Sequence, residues 1–362
     1  MTIVGVPKEI KNRELRVGLT PDAAGVLVRD GHRVLVEQTA GVGSGFADED
    51  YAAMGAEITD VTTVFEEADL IVKVKEPQEV ELLRFRSSQI LFTYLHLAGD
   101  PALAKKLLDT GITAVAYETV IGPDGRLPLL APMSAVAGRL ATQIAAHLLE
   151  SPAGGRGKLM GGIAGVERAV VTVIGAGVVG VNAALAAVGL GADVTVLDIR
   201  SEPLERLDER STGRLTTLVS GPRTLEGCLR KSDVVIGAAL VPGARAPIVL
   251  ERHHLQFLPD GAIFIDLAID QGGSAETSRV TSHDAPTYVE GGVLHYCVPN
   301  VPALVPRTST QALVNATLPH VRRIAARGVS AVTDEGPLAG GLNLHQGNVV
   351  NAIVAKALAL SA

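Results

Sequence analysis

Along the first 130 positions, short runs of β-branched and other apolar residues alternate with stretches of helical spacing. Residues 3–6, 33–37, 70–74, 89–94 and 113–116 read as strands. Between the first two, Thr20-Pro21-Asp22 supplies an N-cap, a first-turn proline and an acidic first-turn residue for a helix that stops before Gly31. Asp48 is expected to cap a second short helix, and residues 101–109 form another. Alternation of this kind predicts a parallel sheet covered by helices.

Residues 133–149 carry one charge, Arg139, and place Met133, Val136, Leu140, Ile144 and Leu148 at helical spacing, which predicts a long buried helix running between two domains. A glycine-rich loop occupies 151–165. A second alternating block then has strands at 170–174, 194–197, 234–237, 262–267 and 295–298. Residues 169–192 contain no charge, but five glycines argue for strand, turn and helix rather than a membrane span. Two helical patterns end the chain, 308–327 and 347–358, with few residues left for strands. Two helices cannot enclose a core, so the chain is expected to return to its first domain. The predicted organisation is a discontinuous domain of residues 1–130 plus 306–362 and a second domain of 131–305. Both are doubly wound α/β folds, with a cleft between them.

Composition narrows the class. The chain has 362 residues, 47% hydrophobic and 20% charged, the balance of a folded protein with large cores. A formal charge of −7 and 3% aromatics leave no basic or stacking face for nucleic acid. Cys228 and Cys297 form neither a disulfide framework nor a metal-ligand spacing, so a reducing cytoplasm is expected, and no targeting segment is visible at the start.

Gly175-Ala176-Gly177-Val178-Val179-Gly180 follows an apolar strand and opens an apolar helix, and the next strand ends at Asp198. In that context each piece has a task. Gly175 makes the turn, Gly177 lets a pyrophosphate approach the backbone, and Gly180 allows close helix–strand packing. The helix N-terminus offers N–H groups to the diphosphate. Asp198 accepts hydrogen bonds from ribose hydroxyls and repels a 2′-phosphate, so NAD is expected over NADP, with Arg200 and Arg206 near enough in sequence to soften that repulsion. Gly41-Val42-Gly43-Ser44-Gly45 has a different spacing with no acidic residue after it, and reads as a structural turn or a substrate-covering loop.

Three polar residues fall where an open α/β sheet places its ligands, beyond the carboxyl ends of strands. Lys75 and His96 are expected to end their strands, and Arg16 lies in the loop after the first strand. Each alone has a bland reading as a solvated or structural residue; their convergence on one sheet edge is what points to a site. Asp270, after the strand at 262–267, is a plain turn residue or sits near a cofactor's reactive end.

Taken with Gly5-Val6-Pro7-Lys8-Glu9, Lys73-Val74-Lys75-Glu76-Pro77, Thr93-Tyr94-Leu95-His96-Leu97, Leu129-Leu130-Ala131-Pro132-Met133-Ser134, Leu240-Val241-Pro242-Gly243 and residues 266–273, the chain resembles the L-alanine dehydrogenase family over nearly its whole length. The resemblance implies that Arg16 and Lys75 hold a substrate carboxylate, that His96 is the acid/base, and that Asp270 assists water and proton movement at an imine carbon. It implies that Ser134, Asp198, Leu240 and Asn300 touch NAD, and that the protein is a homohexamer. The implied reaction is reversible oxidative deamination of L-alanine to pyruvate and ammonia with hydride transfer to NAD. His96 and Asp270 are then expected to meet across the cleft. The related transhydrogenase subunit, acting with a membrane partner, is the alternative.

Overall fold

The computed structural model describes residues 1–239, 245–334 and 336–360. The chain divides into two compact units, Met1–Met133 with Ala303–Ala362, and Ser134–Pro302.

In the first unit the valine- and isoleucine-rich runs become strands β1 (Ile3–Val6), β2 (Arg33–Glu37), β3 (Glu57–Thr59), β4 (Leu70–Val72), β5 (Ile90–Thr93) and β6 (Thr113–Ala116), joined after the return by β14 (Leu342–His345) and β15 (Asn348–Val349). The sheet order is β15-β14-β6-β5-β4-β1-β2-β3. β1 to β6 pair in parallel; β14 pairs antiparallel with β6 and with β15. Both faces are buried. Val4, Val6, Val72 and Phe92 pack on one side with Leu313 and Val321 of helix Pro306–Arg327, and Ile71, Leu91 and Ala114 on the other with Leu103 and Leu107 of helix Pro101–Thr110. Thr20 caps helix Pro21–Arg29 as expected, its hydroxyl accepting from the amide of Ala23.

Three expectations need correction. The strands predicted at 70–74 and 89–94 end at Val72 and Thr93, so Lys75 and His96 lie three residues beyond their strands. Carboxylates cause the early ends: the amides of Val74 and Lys75 donate to Glu9 Oε1, and those of Leu95 and His96 donate to Glu118. Asp48 is not a cap but the first residue of helix Asp48–Ala53, and its carboxylate accepts from the amide of Thr39. The last helical pattern starts late. Residues 342–349 form a hairpin closed by Gln346 and Gly347, with φ of 48° and 75°, the positive-φ pair of a type I′ turn. The helix then begins at Ala352, where the Asn351 side chain accepts the amides of Ile353 and Val354.

The second unit holds β7 (Val170–Ile174), β8 (Asp193–Asp198), β9 (Thr216–Val219), β10 (Val234–Gly237), β11 (Ile263–Asp266), β12 (Thr287–Glu290) and β13 (Val293–Tyr296), in the order β12-β13-β11-β10-β7-β8-β9. All pairs are parallel except β12 with β13. The uncharged stretch 169–192 is β7, a turn and helix Val178–Gly189. Helix Ala131–Leu148 lies against that helix through Gly138, where a Cβ would come within 2.2 Å of the Val179 carbonyl oxygen. Among the described residues no helix is long and apolar enough to cross a membrane.

Candidate active site

In the second unit, the turn after β7 needs its glycines for separate reasons. Gly175 has φ of +108°, and a Cβ there would lie 2.8 Å from the Ala238 carbonyl oxygen. A Cβ on Gly180 would sit 1.8 Å from the Gly175 carbonyl oxygen, so helix and turn touch backbone to backbone. A Cβ on Gly177 would meet nothing within 4 Å. Gly177 is exposed, its space is open to an incoming group, and it is the N-cap of helix Val178–Gly189 with no side-chain capping bond. Val178 is exposed and Val179 is half-buried beside it at the start of that helix, and the first-turn amides form a positive, uncapped end suited to a diphosphate. The residues present fit a dinucleotide.

Asp198 is the last residue of β8 and is 9% exposed. Its Oδ2 accepts from the Ala176 amide at 2.8 Å and its Oδ1 from the Arg200 amide at 3.0 Å, with Arg200 Nε 3.7 Å away. The carboxylate therefore pins the glycine turn to the neighbouring strand, a duty the motif alone does not reveal.

Past β11, Asp270 is exposed on the short turn Ile269–Gln271, and its Oδ2 accepts from the Asn300 amide at 3.2 Å. Asn300 has φ of +54°. The structure thus brings Asp270 and Asn300 together. The Asp270 loop is closed by Asp266, fully buried, which accepts the amides of Ala268 at 2.9 Å and Ser274 at 2.7 Å and the hydroxyls of Ser274 at 2.9 Å and Ser278 at 2.5 Å. Ser134 is half-buried in the first turn of helix Ala131–Leu148. Leu240 and residues 241–243 of its motif lie outside the described residues.

In the first unit, Arg16 is 2% exposed. Its Nε and Nη2 donate to the two oxygens of Glu14 at 2.6 and 2.5 Å, and Nη1 lies 3.2 Å from the Met133 sulfur. Burial opposes the guanidinium charge, but the Glu14 hydrogen bonds and charge win and hold its pKa above the ordinary value, with Tyr94 and Glu9 adding to the effect. Lys75 is half-buried, and its amide donates to Glu9 Oε1 at 3.2 Å. Glu9 belongs to a buried cluster in which Lys73 Nζ donates to Glu9 at 3.1 Å and Glu81 at 2.7 Å. Burial, relieved only in part by Lys73, pushes the Glu9 carboxyl up; the two carboxylates outweigh burial and hold Lys73 charged.

His96 has φ of +52°, and its side chain is 51% exposed. Its ring is parallel to that of Tyr94, centroids 5.8 Å apart. The Tyr94 hydroxyl donates to the Leu129 carbonyl at 2.6 Å, and burial raises its pKa. Tyr94 also feels the charges of Arg16, which lowers its pKa, and of Glu118, which raises it. Glu9 thus holds the Lys75 backbone, and the Tyr94 ring lies along the His96 ring. The Gly41–Gly45 turn is structural: Ser44 is buried and bonded to Leu15 and Thr310, and Arg307 donates to the Gly45 carbonyl.

Sequence reasoning missed the carboxylates that hold these loops by their amides: Glu9, Glu118, Asp266 and the second role of Asp198. The available signal was an acidic residue adjoining or facing each strand end. Two surface hollows, one around Val120, Pro123 and His320 and one around Asp30, His32 and Arg322, contain none of these site residues.

The chain is similar to known proteins over nearly its whole length. Residues 5–137 match the family model "Alanine dehydrogenase/PNT, N-terminal domain", and residues 141–352 match "Alanine dehydrogenase/PNT, C-terminal domain". The chain is 54% identical to the alanine dehydrogenase of Halomonas elongata over 99% of this chain and 97% of that one. It is 50% identical to the alanine dehydrogenase of Bacillus subtilis, over 98% and 94%. Among solved structures it is similar to an L-alanine dehydrogenase at 45% identity and TM-score 0.96, over 99% and 100% of the two chains. A transhydrogenase from Sinorhizobium meliloti is similar at 26% identity and TM-score 0.82, over 97% and 99%.

Proposed function

The chain belongs to the alanine dehydrogenase/PNT family, and from that premise we propose that it is an NAD-dependent L-alanine dehydrogenase, interconverting L-alanine with pyruvate and ammonia. The observation that carries this reading is the unbroken similarity to alanine dehydrogenases at about half identity along both units. A transhydrogenase-type role is not favoured, since the solved transhydrogenase is 26% identical and the solved alanine dehydrogenase 45%.

We assign substrate binding to the first unit and the dinucleotide to the second. The nicotinamide supplies hydride acceptance and return. The glycine turn and the helix beginning at Val178 hold the diphosphate, and Asp198 holds the ribose and disfavours a 2′-phosphate. Asn300 and Ser134 are the further dinucleotide contacts. In the first unit, Arg16 and Lys75 fix the amino acid by its carboxylate. His96 takes or returns a proton at its imidazole, and Asp270 orients water for the hydrolytic step.

The deciding experiment is an assay of the purified protein with L-alanine and NAD, following NADH absorbance; no turnover with alanine sinks the reading. We also propose a cytoplasmic homohexamer. Two free thiols, Cys228 and Cys297, support the reducing compartment, and light scattering tests the assembly, with a stable monomer as the contrary result.

A further inference from the structure

The imidazole of His96 stands on a backbone that side-chain-bearing residues avoid. With φ of +52° it occupies the left-handed region, where Cβ crowds the backbone, so something outside the residue must hold it there. β5 and β6 are parallel neighbours with Thr93 opposite Ala116, and the two chains leave the sheet side by side. Three residues past Thr93 is His96; two past Ala116 is Glu118, on the short turn Tyr117–Thr119 and 15% exposed.

Glu118 Oε1 accepts from the Leu95 amide at 3.2 Å and from the His96 amide at 2.5 Å, and the same oxygen is 3.9 Å from His96 Nδ1. Successive N–H groups converge on one anion when the backbone turns into the left-handed region, the arrangement of an anion-binding nest, and here the anion is a side chain of the protein itself. The Gly99 amide closes the far side by donating to the His96 carbonyl at 2.9 Å, and the Tyr94 ring supports the imidazole face.

We infer that Glu118 is a positioning residue for His96: its carboxylate, by gathering the amides of Leu95 and His96, maintains the left-handed turn that presents the imidazole for proton transfer. This rests on His96 being the acid/base of the reaction proposed above. Glu118 acts through the backbone of its neighbour and need not touch substrate. Its effect therefore belongs in the rate of the proton-dependent step and not in dinucleotide binding.

The test uses the full-length protein with Glu118→Ala, Glu118→Gln, His96→Ala and the Glu118→Ala/His96→Ala double variant. Glu118→Ala should lower kcat about 10–100-fold, less than the roughly 10²–10⁴-fold of losing the acid/base itself, with NADH affinity nearly unchanged. The double variant should be no slower than His96→Ala, because residues acting through one function are not additive. Glu118→Gln keeps an acceptor oxygen at the same reach and should lose much less than Glu118→Ala. Normal kcat in Glu118→Ala, or losses that multiply in the double variant, overturn the proposal. If Glu118→Ala does not fold, a Glu118→Gln loss as deep as that of His96→Ala overturns it. A His96→Ala variant with normal turnover would defeat the role given to His96; Glu118 is then judged by the His96 ring resonances in NMR, which must move in Glu118→Gln or Glu118→Ala and which, unmoved, overturn the positioning.

Discussion

Asp198 accepts the backbone amide of Ala176 at 2.8 Å, so the residue assigned to the ribose also fastens the glycine turn beneath the diphosphate. Replacement should therefore do two things at once. Asp198→Ala should relax the preference for NAD over NADP by roughly 1.5–3 kcal/mol, the worth of a charge-assisted hydrogen bond, and should also weaken NAD binding by loosening the turn. Asp198→Asn, which keeps an acceptor for Ala176, should relax discrimination with less loss of stability. Titrations of both cofactors against each variant check this. Equal use of NAD and NADP by the unmodified protein would contradict the premise.

The second and third glycines of the motif should respond differently. Gly180→Ala drives a methyl to within 1.8 Å of the Gly175 carbonyl oxygen and should destabilise the second unit by at least about 1–3 kcal/mol. Gly177→Ala meets open space and should change stability by no more than about 0.5 kcal/mol, yet weaken NADH binding, because the methyl stands where the pyrophosphate approaches. Thermal melts with and without NADH separate the cases. A Gly177→Ala protein that binds NADH normally would place the diphosphate elsewhere.

His96→Ala should lower kcat by about 10²–10⁴-fold with little effect on NAD affinity, as removal of an acid/base does. Lys75→Ala should instead raise the KM for pyruvate as well as slow turnover, since it removes a partner of the carboxylate. Steady-state kinetics in both directions distinguish the two. Near-normal turnover of the His96 variant from neutral to alkaline pH would reduce that residue to a structural one.

Acid should destabilise the second unit through a buried imidazole. His295 is fully buried, its nitrogens engaged by Thr277 Oγ1 at 2.9 Å and the Val293 carbonyl at 3.0 Å, and burial holds its pKa below the ordinary 6.5. As pH falls below 6.5 the unfolded chain binds a proton that the folded chain refuses until the lower folded pKa is reached. Stability is thus complete above 6.5 and declines through that interval. His254 and His320 shift in the same direction, also by burial. Unfolding free energies between neutral and mildly acidic pH should show the decline, and His295→Gln should flatten it by up to about 1.4 kcal/mol per pH unit. An unchanged slope would acquit His295.

The alternating pattern made most strands of both sheets legible, because short β-branched runs buried on two faces leave an unambiguous mark, and the glycine motif carries its own mechanism. Two kinds of feature stayed hidden. The hairpin at 342–349 was masked by its brevity and by the helical spacing of residues 352–358 beside it; only Gln346-Gly347 marked it. The carboxylates Glu9, Glu118 and Asp266 were hidden because their partners are backbone amides, which nearly every residue has. Sequence can display Lys75 and His96 as chemistry, but not the side chains that end β4 and β5 early by taking their amides.

The placement of β14 beside β6 has a consequence for synthesis. Leu342 pairs with Val115, so the edge of β6 waits for a strand that leaves the ribosome only after the whole second unit has been made. At about 5–20 residues per second that interval is on the order of ten to forty seconds. Throughout it the strand Thr113-Ala114-Val115-Ala116 of the nascent first unit, paired with β5 on one side, has its other edge free, a template for pairing with another chain. Truncation before Leu342 would leave that edge open permanently.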